Sequence, residues 1–159
     1  VLQLLDPSFA EDLFLRIESA GVPAEMIMIE MTESIFSTNY ELLSEALAEI
    51  REYGIDTAID DFGTGFSSLA RIEKLHFNTV KMDRVFVAQM NKENATHGIA
   101  QDIINICKKF NIKSLAEGIE TEEQYNALKG LGCEFGQGFY MSRPLEVEDA
   151  KEFIKKQKH

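Results

Sequence analysis

The sequence predicts an α/β protein, an incomplete TIM-like (β/α)8 barrel with about five βα units. Short apolar strands alternate with amphipathic helices along the 159 residues, a pattern that calls for a parallel sheet with right-handed crossovers. Polar and charged residues stand at the ends of successive strands, in the order Glu30, Asp60, Lys81, Glu117 and Gln137. Each follows the last by the length of one βα unit. Functional groups at the carboxyl ends of several strands mark a barrel's catalytic face, whereas an open doubly wound sheet gathers them at one or two switch points.

Taken in order, Asp6-Pro7 reads as a helix start, with Asp6 as cap and proline in the first helical position. Phe9, Leu13 and Ile17 give that helix its apolar stripe, ending near Gly21. Met26 to Glu33 is an apolar strand finishing in acids. Tyr40 to Tyr53 is amphipathic through Leu43, Ala46, Leu47 and Ile50, and Gly54 stops it. Thr57 to Asp61 forms the central strand, followed by a short helix from Ser67 to about Leu75. Thr79 to Asp83 is a third strand. Ile99, Ile103, Ile106, Cys107 and Phe110 mark one face of the next helix. Ser114 to Glu120 is a fourth strand, and Thr121 and Gln124 have capping-box spacing for a helix that Gly132 ends. Phe135 to Met141 reads as a fifth strand broken by glycines, and Glu146 to Lys156 as a last helix.

A closed barrel of this kind takes about 250 residues, so about three strands are expected to be missing on the N-terminal side. Five unclosed strands leave sheet edges exposed. Completion by another part of a longer chain, or pairing with a second copy, is expected. The net charge of −11 argues against binding nucleic-acid polymers or anionic membranes. No apolar run approaches the length of a membrane span, so this segment is expected to make no membrane contact and to be cytoplasmic, even within a membrane-anchored parent. Cys107 and Cys133 lack metal-site spacing and read as reduced core thiols rather than a disulfide.

The chemistry centres on Asp60-Asp61, at the end of an apolar strand and just before a turn with Gly63 and Gly65. Strand alternation would send the two acids to opposite faces, a constraint the glycine-rich loop removes. Adjacent carboxylates repel unless a cation lies between them, which suggests oxygen-ligated magnesium or manganese. The plainer reading is a solvated Asp-Asp turn, and for Lys81 a snorkelling surface lysine.

Five motifs occur in order: Glu30-Met31-Thr32-Glu33-Ser34, Asp60 to Leu69, Lys81-Met82-Asp83, Ala116 to Thr121, and Gln137-Gly138-Phe139. Together they resemble the EAL family, bacterial phosphodiesterases that linearise cyclic di-GMP. The resemblance implies that residues 1–159 are the C-terminal part of a single EAL domain. It also implies a barrel of the EAL type with two Mg2+ or Mn2+ ions at the strand ends. By the same resemblance, Glu30 matches a first-metal ligand, Asp60 the carboxylate shared by both metals, and Asp61 a second-metal ligand. Lys81 matches the lysine that orients the attacking water, and Glu117 a metal ligand or base. Glu33 matches the glutamate that steadies the loop after Asp61, while Glu120 and Gln137 match further active-site positions. By the resemblance, this chain begins beyond the family's metal-binding Glu-Ala-Leu signature and the metal-binding asparagine of the strand after it, so the chain alone is expected to be inactive. The alternative is a non-catalytic cyclic di-GMP receptor or interaction module derived from the enzyme.

Overall fold

The computed structural model describes residues 3–6, 8–37, 39–63, 69–90 and 98–157. Helix α1 (Phe9–Ala20) precedes strand β1 (Met28–Thr32), followed by α2 (Tyr40–Glu52), β2 (Asp56–Phe62), α3 (Leu69–Leu75) and β3 (Thr79–Met82). Then come α4 (Arg84–Gln89), α5 (Gly98–Phe110), β4 (Lys113–Ala116), α6 (Glu122–Leu131), β5 (Phe135–Gly136) and α7 (Val147–Gln157). Among the described residues the sheet has five strands, all parallel, in the order β1-β2-β3-β4-β5. The order never reverses, so there is no switch point of the doubly wound kind. Each new strand is laid beside the last with its helix outside. That is an arc of a (β/α)8 barrel.

Strand alternation divides the sheet into two faces with different chemistry. Ile59, Val80, Met82 and Ala116 are buried in the core with Leu43, Leu47 and Ile50 of α2, Ile103 and Ile104 of α5, and Leu128 of α6. α2 packs on β2, and α5 on β3 and β4. The opposite face carries Glu30 beside Ala58 and Lys81 beside Leu115 in the register. The helices therefore supply the hydrophobic stabilisation, leaving the inner face free for polar groups.

Local signals place most helix ends. Gly21 closes α1 with φ 64°, a left-handed cap that an L side chain resists. Asn39 caps α2 by accepting the N–H groups of Glu41 and Leu42. At α6 the Thr121 and Gln124 side chains form a reciprocal capping box.

Several elements differ from the sequence expectation. α1 starts at Phe9 with Ser8 in the cap position, while the Asp6 carboxylate accepts the Ser8 N–H and hydroxyl at 2.9 and 3.0 Å. Pro7, and Ser67 and Ser68 at the expected start of α3, lie outside the described residues. The buried stripe of α5 is Ala100, Ile103, Ile104 and Cys107, and Ile99 is half exposed. The rule of i, i+3, i+4, i+7 holds, but it starts one residue later than Ile99 suggests. β4 is shorter than expected because Gly118 turns with φ 67°, and β5 spans only Phe135–Gly136. Main-chain bonds nonetheless continue past β5, from Gln137 N–H to Ala116 O and from Tyr140 N–H to Ile119 O.

Gly138 lies where this crossing is tightest, and a β-carbon there would run into the Ile119 main chain. Gly138→Ala is expected to cost about 3 kcal/mol by overpacking, read as a lowered unfolding temperature. An unchanged transition would show that the segment can move aside.

Candidate active site

The Asp60-Asp61 pair is shaped inside β2 rather than by the loop after it. Register passes from Ile59 opposite Val80 to Phe62 opposite Met82, so β2 carries a bulge of one extra residue. Asp61 takes the left-handed backbone conformation with φ 54°. Aspartate tolerates this better than most residues. The bulge cancels the alternation that would separate the two side chains. Gly63, with φ 95°, turns the chain immediately afterwards, and Gly65 lies outside the described residues.

As a result, carboxylate oxygens of Asp60, Asp61 and Glu117 all lie within 4.8 Å of one another. Burial, and then the charges of Asp60 and Asp83, push the Asp61 carboxyl above its usual range, with Lys81 offsetting part of the effect. Convergent hard oxygen donors with negative charge in excess fit a divalent cation such as magnesium, manganese or calcium. The donor set is therefore suited to the metal that the sequence suggests.

Beside this triad stands Lys81, only 6% exposed. Its Nζ is 2.7 Å from Glu30 Oε2, 2.9 Å from Glu117 Oε1 and 3.0 Å from Asp60 Oδ1. Burial alone would lower the affinity of this amine for its proton. The hydrogen bonds to Glu30, Glu117 and Asp60 outweigh that and hold Lys81 protonated well above the ordinary lysine range. A snorkelling surface lysine is excluded by this geometry.

Glu30 lies outside the carboxylate triad and faces Lys81. Glu33, in the 3₁₀ turn Glu33–Ser37 after β1, is buried, and its Oε2 accepts the Gly63 N–H at 3.3 Å. That bond ties the turn after β2 to the end of β1. Gln137 Nε2 donates to Glu117 Oε1 at 3.0 Å, so one oxygen of Glu117 receives both Lys81 and Gln137. Glu120 is not part of the triad. It lines an adjoining open cleft of about 460 Å³ with Arg84, Gln137, Phe139 and Arg143.

Sequence reasoning gave Asp83 no role. Its charge helps push the Asp61 carboxyl above its usual range, and it caps α4 by accepting the Val85 N–H at 2.7 Å. Its place directly after a strand, like that of Glu117, was the available signal.

A barrel arc whose strand ends gather carboxylates around a buried lysine defines an α/β protein of the (β/α)8 class with a donor set suited to a divalent cation. The chain belongs to the EAL domain family, whose model matches residues 1–144. It is 36% identical over 148 residues to the cyclic di-GMP phosphodiesterase NbdA of Pseudomonas aeruginosa, covering 93% of this chain and 19% of NbdA. The PaMucR phosphodiesterase in its c-di-GMP complex superposes with a TM-score of 0.87 at 30% identity, over 94% of this chain and 60% of that one. Klebsiella pneumoniae BlrP1, in a manganese/cy-diGMP complex, gives 0.78 at 30% identity, over 87% of this chain and 35% of that one. This chain thus spans about a fifth of the length of NbdA. Among the described residues no helix is long and apolar enough to cross a membrane.

Proposed function

We propose that the chain is the C-terminal part of an EAL domain that hydrolyses cyclic di-GMP to linear pGpG, and that it is inactive without the rest of the barrel. The observation that carries this reading is the Lys81 ammonium held by carboxylates from three separate stretches of chain, next to the Asp60, Asp61 and Glu117 oxygens. Asp60, Asp61, Glu117 and Glu30 are the ligands we assign to two divalent cations, Mg2+ or Mn2+. Such cations, when bound, neutralise a phosphodiester and lower the pKa of water.

The chain's own residues do the rest. Lys81 sets a fixed positive charge where negative charge grows in the transition state. Glu117, oriented by Lys81 and Gln137, is placed to accept a proton from water. Glu33 holds the turn at Gly63, and with it the position of Asp61. We assign Glu120 to substrate contact from the adjoining cleft rather than to the chemical step. The free thiols of Cys107 and Cys133 fit a reducing compartment, and we place the domain in the cytoplasm.

The test is to incubate the full-length protein with cyclic di-GMP and Mn2+ and separate the products by chromatography. Linear dinucleotide that disappears on chelation is expected. Binding without turnover would replace the enzyme with a cyclic di-GMP receptor.

A further inference from the structure

Lys81 comes from β3, whose four residues are all buried. An ammonium has three N–H donors, and here they meet Glu30 on β1, Asp60 on β2 and Glu117 just after β4. Asp60 and Glu117 also supply oxygens of the triad suited to a divalent cation. Ammonium and metal therefore draw on the same carboxylates. A buried charge stripped of its partners is strongly disfavoured, so Lys81 does not give them up without compensation.

We infer that Lys81 is the resident counter-cation of the metal-free site, holding Glu30, Asp60 and Glu117 in place until a divalent cation takes carboxylate oxygens from it. This rests on reading those acids as metal ligands. Without an internal cation, Glu30, Asp60, Asp61, Asp83 and Glu117 would crowd one end of the sheet with like charge. With it, the ligands are held close together before metal arrives. The cost falls on affinity, because whatever stabilises the metal-free form weakens apparent metal binding. A lysine serving only the chemical step would carry no such penalty, and its removal would leave metal affinity unchanged or lower.

The experiment uses Mn2+ alone, without nucleotide, on the full-length protein, with free Mn2+ counted by electron paramagnetic resonance. Lys81→Met is expected to bind Mn2+ about tenfold more tightly than wild type. Its unfolding temperature in chelator should fall several degrees below wild type, and saturating Mn2+ should narrow that gap. Equal or weaker Mn2+ affinity in the variant would overturn the inference, as would an equal loss of stability with and without Mn2+.

Should Lys81→Met fail to fold, wild type alone decides the matter through nuclear magnetic resonance of the Lys81 ammonium. Its signal is expected to be protected from exchange in chelator and to shift as Mg2+ saturates the site. A signal unmoved at saturation overturns the inference. Absence of Mn2+ binding in both forms would remove the metal reading itself, whereas binding of equal strength in both would remove only the exchange.

Discussion

Replacing Asp60 by asparagine in the full-length protein is expected to lower turnover of cyclic di-GMP by about 10³-fold, equivalent to about 4 kcal/mol on the barrier. The substitution keeps the shape of the side chain. Its Oδ1 can still accept from Lys81 and from the Asp61 N–H, now 3.0 and 3.1 Å away. What is lost is a full negative charge among the carboxylates that fit a cation. Stability should change little, because the Asp60 side chain is about a quarter exposed and Lys81 retains Glu30 and Glu117. Chromatography of the product, together with the metal content of the purified protein, checks both parts. Wild-type hydrolysis at equal metal occupancy would sink the assignment of Asp60 as a shared ligand.

Glu117→Gln is expected to reduce kcat by about 10²- to 10³-fold, the range associated with a positioned general base and a lost ligand charge. This variant also disturbs structure more than Asp60→Asn does. Glu117 Oε1 receives Lys81 and Gln137 together. An amide that turns its NH2 toward Lys81 would oppose a buried ammonium. A stability loss of about 1–2 kcal/mol is therefore expected alongside the kinetic defect. Thermal unfolding and single-turnover kinetics separate the two effects. Unchanged kcat in a folded variant would assign the proton-accepting role elsewhere.

Much of the scaffold was legible because its signals are local. Leu43, Leu47 and Ile50 repeat at helical spacing and are all buried against the sheet. Thr121 and Gln124 satisfy each other within one helical turn. α4 was not read, because Arg84–Gln89 is too short to display a period and its clearest signal is Asp83 as cap. The strand ends could be placed, but the rotation of Asp61 could not. It depends on how β2 registers with β3, and residues distant in sequence set that register. The full partner set of Lys81 was hidden for the same reason. Its apolar neighbours Val80 and Met82 argue against a snorkelling surface lysine, but only the folded register brings Glu30, Asp60 and Glu117 to it together.

The strictly sequential pairing of β1 through β5 also sets an order of assembly. Each strand can dock on the one made just before it, so the sheet can grow as the ribosome delivers the chain, without waiting for distant segments. The ion pairs at its end cannot keep that pace. β3 brings Lys81 in while Glu117 is still to come, beyond the whole of α5 and β4. A nascent chain stopped between those points holds a structured sheet but only two of the lysine's three acids. In hydrogen-exchange terms, the backbone of β2 and β3 should be protected before Glu117 is in place, so the scaffold of the working face becomes native ahead of its ion pairs.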